Sequence, residues 1–323
     1  MIRILGRLRA DFAGHVHTVA PVVRHALVPQ GHGGELRAAP WSTEIVDAVR
    51  GRVRLTGKLH DAGGETLVVV VHGLGGHVDS HYVHNAALTL ARGGLSSLRV
   101  NLRGADRRGD DFYHAGIIED LAAVLASPDV ARFSRVILWG SSLGGHLSLR
   151  FAALTPDPRL SGVVAVCPPL DLAAGASAID TFHRRPYLRH VLAGLVEMYE
   201  QVAARGAVPL PVADAHRIRS IRTWDERIVA RRFGFRGAAD YYGRMSVAPH
   251  LGDIRCPTLL VVGDSDPMVP RATVEPALRA VSSAVDVRVV DGGHVGFPRH
   301  VDLGQRGPRG LEPQVAAWIA ARA

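Results

Sequence analysis

The stretch Gly140-Ser141-Ser142-Leu143-Gly144 sets a hydroxyl between glycines. It follows the apolar run 135–142 and precedes Leu143–Leu154, whose apolar residues recur at helical spacing. A strand passing this sharply into a helix needs residues without bulk on either side of the turn, and leaves the side chain at its apex exposed. Ser142 is that apex, and Ser141 is expected to lie to the side and bond locally. The plain alternative is a serine that caps a helix N-terminus. A serine hydroxyl is a weak nucleophile at neutral pH and needs a base within hydrogen-bond reach, held in turn by a third group. Later strand ends supply both types. Asp264 and Asp266 follow the run 257–264, and His294 follows 285–292. Asp266 has left its strand and can turn toward the histidine, whereas Asp264 braces the turn. Among seventeen histidines, His294 stands out over His250 and His300 because glycines precede it and the last predicted strand ends just before it.

Acyl chemistry at Ser142 also needs donors for an oxyanion. "HGLGG" (72–76) follows an early strand and offers backbone N–H groups in a turn that glycine keeps open, so Leu74 N–H and Leu143 N–H are the expected donors. The residues after it place His77, His81 and His84 at helical spacing. No cysteine or carboxylate cluster accompanies them, so a histidine-rich helix start is favoured over zinc and no metal or cofactor is expected. Asp79 is the expected helix cap.

Positioning these groups falls to a recurring pattern. Continuous β-branched runs at 66–73, 97–104, 135–142, 162–169, 257–264 and 285–292 read as strands buried on both faces, separated by helices at 81–92, 119–127, 143–154 and 271–280. The alternation predicts a mostly parallel central sheet with helices on both faces. "GRVRLTGKLH" (51–60) adds one or two antiparallel strands. About 171–250 holds no convincing strand. Its helical stretches 185–206 and 224–242 predict a cap inserted in a single domain spanning 1–323, behind a leader of residues 1–40. Leu188, Leu192, Leu195, Met198 and Phe233 of this cap are candidates to cover an acyl chain, with packing between cap helices the commoner use of such residues.

Composition narrows the partners. The net charge of +8 is carried by arginine, Lys58 being the sole lysine, and the basic residues are scattered rather than gathered on one element. That pattern argues against nucleic acid and favours an anionic substrate or peripheral contact with an anionic membrane surface. No apolar run spans a bilayer or resembles a signal peptide, so a cytoplasmic location is expected. Cys167 and Cys256 are too few for a disulfide framework and read as buried thiols.

Several longer stretches resemble the YheT-like branch of the α/β-hydrolase superfamily. They are "HGLGG" with "SHYVHNAALTLARGG", "RVNLRGAD", "GSSLGGHLSLRFA", "TWDERIVARRFGFRGAADYY" and "GGHVGF". The resemblance runs from about residue 41 to 297. It implies an α/β-hydrolase fold with a helical cap and a triad of Ser142, Asp266 and His294, in the chain order that fold uses. It further implies esterase or lipase-like cleavage of carboxylic esters, with acylglycerols or phospholipids among the substrates of some members. Membrane-anchored relatives begin with a transmembrane segment, and no integral membrane role is expected here. Two rival readings share the scaffold: acyl transfer to an alcohol or amine, and ligand binding without turnover.

Overall fold

A computed structural model describes residues 13–20, 36–155 and 157–323. Most of the leader, including its arginine-rich start, lies outside the described residues. Residues 13–20 form a helix, α1. The strands are β1 (Ala39–Asp47), β2 (Gly51–His60), β3 (Thr66–Val71), β4 (Ser96–Asn101), β5 (Arg135–Ser141), β6 (Leu160–Val166), β7 (Thr258–Gly263) and β8 (Val285–Val290). They join in one sheet of order β1-β2-β4-β3-β5-β6-β7-β8. From β4 to β8 every pairing is parallel, and the β1–β2 hairpin adds antiparallel through β2.

The continuous apolarity of the central runs has the cause expected of it. Every residue of β3, β4 and β7 is buried, while the edge strand β1 alternates between covered and exposed positions. Alternate residues of β3 enter different cores. Leu67, Val69 and Val71 pack with Leu147 and Phe151 on one side of the sheet. Val68 and Val70 pack on the other side with Val83 and Leu90 of α2 (His81–Arg92) and with Val315 and Trp318 near the C-terminus.

Two helices, α3 (Glu119–Ala126) and the short α4 (Pro128–Ala131), link β4 to β5, and α5 (Leu143–Leu154) follows β5. Between β6 and β7 the chain is helical: α6 (Leu172–Ile179), α7 (Arg185–Arg205), α8 (Val212–Ala215), α9 (Ile221–Trp224), α10 (Ala230–Phe233) and α11 (Ala238–Met245). The expected helix over 224–242 is thus broken, with a π-helical turn at Asp225–Val229 and a left-handed glycine, Gly234, ending α10. After β7 come α12 (Arg271–Leu278), and after β8 the C-terminal α13 (Leu311–Ala320). Among the described residues no helix is long and apolar enough to cross a membrane.

The helical segment is tied to the sheet by a buried ion network. Arg103, 2% exposed, donates to both oxygens of Asp120 and to Asp47 and Asp111; Arg232 of α10 reaches the same Asp111 at 2.7 Å and Asp47 at 3.0 Å. Against the downward pull of burial, Asp120 and the other carboxylates hold the Arg103 guanidinium above its ordinary value. These charges explain why "RVNLRG" and "DERIVARRF" carry arginine at otherwise buried positions.

Candidate active site

Ser142 sits between β5 and α5 with φ 52° and ψ −121°, a region that costs a side-chain-bearing residue about 1 to 3 kcal/mol. Backbone bonds hold it there: its N–H donates to Val166 O at 2.8 Å, and its carbonyl accepts from His146 N–H at 3.0 Å. A Cβ at Gly140 would collide with the Gly144 carbonyl, and one at Gly144 with the carbonyl of Val71, so the glycines are there for close approach. Ser142 occupies the N-cap position, yet its hydroxyl makes no capping bond. That removes the helix-cap reading and leaves the hydroxyl at the wall of a cavity. Ser141 ends β5 instead of bonding locally; its hydroxyl has no partner among the described residues.

Asp266 and His294 meet. The Asp266 carboxylate accepts Met268 N–H at 2.8 Å and Val269 N–H at 2.9 Å through Oδ1, and His294 Nδ1 at 2.8 Å through Oδ2. Both side chains are buried. With Nδ1 donating to the carboxylate, Nε2 is the nitrogen left to accept a proton, and His294 lines the same cavity as Ser142. Asp264 is exposed and pairs with Arg271 at 2.8 Å, in keeping with a brace on the turn.

The glycine turn after β3 shows a selective pattern of bonding. Gly73 N–H donates to Tyr82 Oη at 2.8 Å, Gly75 N–H to Tyr113 Oη at 2.7 Å, and Gly76 N–H to Gly73 O at 3.0 Å. Leu74 N–H, between them, has no partner among the described residues. Leu143 N–H, at the first position of α5, has none within its helix. Leu74, Leu143, Ser142 and His294 all line the cavity. His72 braces the turn from below: Nδ1 bonds to Gly73 O at 2.8 Å and Leu102 N–H bonds to Nε2 at 3.2 Å. Burial brings its pKa down to about 4, which keeps the ring neutral for those two roles.

Three features of the site were absent from the sequence reading. The Cys167 thiol ends β6 beside the acid and base, with donor atoms of Cys167, Asp266 and His294 lying within 4.8 Å of one another. Burial and the neighbouring Asp266 charge push the thiol well above its usual range, and Asp266 and His294 bond to each other. It is the one group of three such donors that close together among the described residues, and His77, His81 and His84 do not form another. The second feature is α1. Thr18 Oγ1 accepts the backbone N–H of His294 at 2.9 Å and donates to Gly14 O at 2.8 Å, and His15 bonds to Tyr187 of α7 at 2.6 Å. The third is Asp225, buried in the cavity wall at the start of the π-helical turn.

The cavity measures about 670 Å³ and is mostly apolar, with Leu172, Ile179, Val191, Leu195, Trp224 and Val229 among its walls. Of the five side chains expected over an acyl chain only Leu195 reaches it; Leu188, Leu192 and Met198 pack into the core, and Phe233 meets Phe112 edge-on and His114 at a tilt. Asp79 does not cap α2. Ser80 precedes that helix, and Asp79 instead holds both carboxylate oxygens to Lys58, at 2.7 and 2.8 Å. Cys256 is half-buried, not buried, and both cysteines are free thiols.

The family model Hydrolase_4, described as serine aminopeptidase, S33, matches residues 64–294. The Escherichia coli (strain K12) protein named "Putative esterase YheT" is 30% identical over 249 residues, 71% of this chain and 70% of that one. The Picea glauca embryogenesis-associated protein EMB8 is 27% identical over 250 residues, 72% of this chain and 53% of its own. Among solved structures, the Pyrococcus furiosus esterase Pf2001 superposes with a TM-score of 0.55 at 20% identity, over 83% of this chain and 89% of that one, a likeness of fold. The matched family segment opens just before β3 and closes on His294, so strands β3 to β8, the Ser142 turn and the Asp266 loop all fall inside it: the chain belongs to the α/β-hydrolase superfamily, in its YheT-like branch.

Proposed function

We propose that the protein is a serine hydrolase that cleaves carboxylic esters through an acyl-enzyme. One observation carries the reading: a strained serine with an unused hydroxyl shares a cavity with a histidine whose other nitrogen is bonded to a buried carboxylate. His294 Nε2 takes the Ser142 proton as Oγ adds to the ester carbonyl carbon. Asp266 holds the ring in the required tautomer and stabilises its charged form. The oxyanion of the tetrahedral intermediate is received by Leu74 N–H and Leu143 N–H, two amides at the cavity wall without a partner among the described residues. As the C–O bond to the alcohol breaks, His294 returns its proton to the leaving oxygen. Water, deprotonated by the same nitrogen, then releases the acid and restores Ser142.

Transfer to an acceptor alcohol in place of water would use the same groups. Hydrolysis is favoured because the Escherichia coli relative, 30% identical, is named as an esterase. The apolar cavity walls suit an acyl chain, and the helices between β6 and β7 act in this reading as a cap over it, within one domain and in the cytoplasm.

A panel of 4-nitrophenyl esters graded by chain length, run on wild type and Ser142→Ala, tests the reading. Turnover that peaks at one chain length and drops by orders of magnitude in the variant supports it. Equal turnover by the two proteins overturns it.

A further inference from the structure

Asp225 is a carboxyl that the proposed chemistry leaves unused. It is 8% exposed, it lines the cavity, and it enters no ion pair among the described residues. Among the described residues its one hydrogen bond comes from Tyr242, whose Oη donates to Oδ2 at 2.7 Å, and Oδ1 has no partner there. Buried carboxyls are normally satisfied by a cation or by several N–H donors, as Asp120 and Asp266 are here. The neighbouring charge makes matters worse: Asp180, which accepts Ile221 N–H and Arg222 N–H, adds a second negative group close by. Burial and this charge together push Asp225 up to about 7. The walls beside it are aromatic, with Trp224, Tyr241 and Tyr242 all lining the cavity. The π-helical turn that begins at Asp225 departs from regular helix at this point, a distortion that recurs at functional sites.

An acid with no counter-ion among the described residues, set in a wall with aromatic side chains and with one oxygen unbonded there, has the chemistry of a cation receptor. We propose that the end of the cavity at Asp225 is a subsite for an ammonium group, so that the preferred ester carries a positively charged nitrogen. This substrate class rests on the esterase reading, whereas the subsite itself does not. An ammonium would bond to Oδ1, lie against the rings, and supply the positive charge that the protein withholds. His114, neutral because burial and nearby arginines bring its pKa down to about 3, lines the same cavity and adds no competing charge.

The binding arm uses wild-type protein at pH 8, where Asp225 is ionised. Thermal unfolding is followed with hexylammonium, 1-hexanol and hexanoate in turn. The proposal expects a rise in Tm with hexylammonium at concentrations where the other two are without effect. Equal responses to hexylammonium and hexanol overturn it. The kinetic arm compares kcat/KM for 4-nitrophenyl 6-aminohexanoate with the uncharged 4-nitrophenyl hexanoate, and for 2-aminoethyl hexanoate with butyl hexanoate. The two pairs report a nitrogen on the acyl and on the alcohol side. A preference of about tenfold for the charged member of one pair is expected, falling to about one in Asp225→Asn. No preference in either pair, or a preference unchanged by the substitution, contradicts the proposal. If no ester is hydrolysed at all, the esterase reading fails while the binding arm still decides the subsite. Should Asp225→Asn not fold, the wild-type comparisons decide it alone.

Discussion

Thr18 and His294 lie 276 positions apart, yet the Thr18 hydroxyl accepts a hydrogen bond from the histidine's backbone N–H at 2.9 Å and donates one to Gly14 O at 2.8 Å. A helix ahead of the sheet therefore reaches across to hold the loop that carries the proposed base. The same helix touches α7 through His15 and Tyr187, whose rings stack with centroids 5.6 Å apart. The base, the N-terminal helix and the helical segment between β6 and β7 form one connected unit.

Thr18 is accordingly a positioning residue, acting through His294. Replacing its hydroxyl leaves a buried N–H unsatisfied, at a cost of about 1 to 3 kcal/mol in the geometry it supports. Thr18→Val is expected to lower kcat about tenfold or more with less effect on KM, and to shift the pH-rate profile; Thr18→Ser should restore both. A Thr18→Val enzyme with wild-type kcat and pH profile contradicts the role.

Asp266→Asn tests the orienting carboxylate. The amide can still accept Met268 and Val269 N–H, but it can present an N–H to His294 and trap the wrong tautomer. A fall in kcat of order 10⁴-fold with an unchanged melting temperature is expected. A fall of less than tenfold would remove Asp266 from the mechanism.

Arg103 faces three carboxylates, of which Asp120 is 1% and Asp111 0% exposed. Arg103→Met leaves Asp120 without its cation. Chemical denaturation should show a loss of about 3 to 5 kcal/mol, since removing one partner strands the other charge away from water. A loss under about 1 kcal/mol would mean that the network is not what ties these elements together.

The pH dependence of stability reports on Asp225. Its pKa is about 7 in the folded protein against an ordinary 3.8, so the folded state holds the proton more tightly between those values. Stability from this group is full below about 4, declines as pH rises, and is lost above about 7, by up to roughly 4 kcal/mol. Asp225→Asn keeps a partner for Tyr242 and has no proton to lose. The variant and the wild type should therefore melt together near pH 4, with the variant the more stable at pH 8. A variant that is the less stable at pH 8 contradicts the burial of an uncompensated carboxyl.

The parts of this molecule legible in its sequence are those fixed by local rules. The strands from β3 to β7 announce themselves because burial on both faces demands unbroken β-branched runs. The Ser142 turn announces itself because only glycine fits beside the carbonyls it passes. The contacts that finish the site obey no such rule. Tyr82 and Tyr113 take the amides on either side of Leu74 from two different elements, and nothing in their local sequence marks that task. Thr18 lies in a segment without strand periodicity, and Asp225 sits in a helical stretch where an acid is ordinarily read as solvent-facing. The cap side chains were legible only as a group, because helical spacing shows that a face is apolar and not which neighbour it meets: Leu192 turns to the core, while Leu195 reaches the cavity.

The central claim is that Ser142 is the nucleophile and that the buried histidine makes it one. Treating the folded protein with a fluorophosphonate and mapping the modified peptide tests this most directly. The account predicts one phosphonyl adduct per chain, on Ser142 and not on Ser141, with labelling lost in His294→Ala. No adduct on well-folded wild type, or an adduct on any other residue, would contradict it.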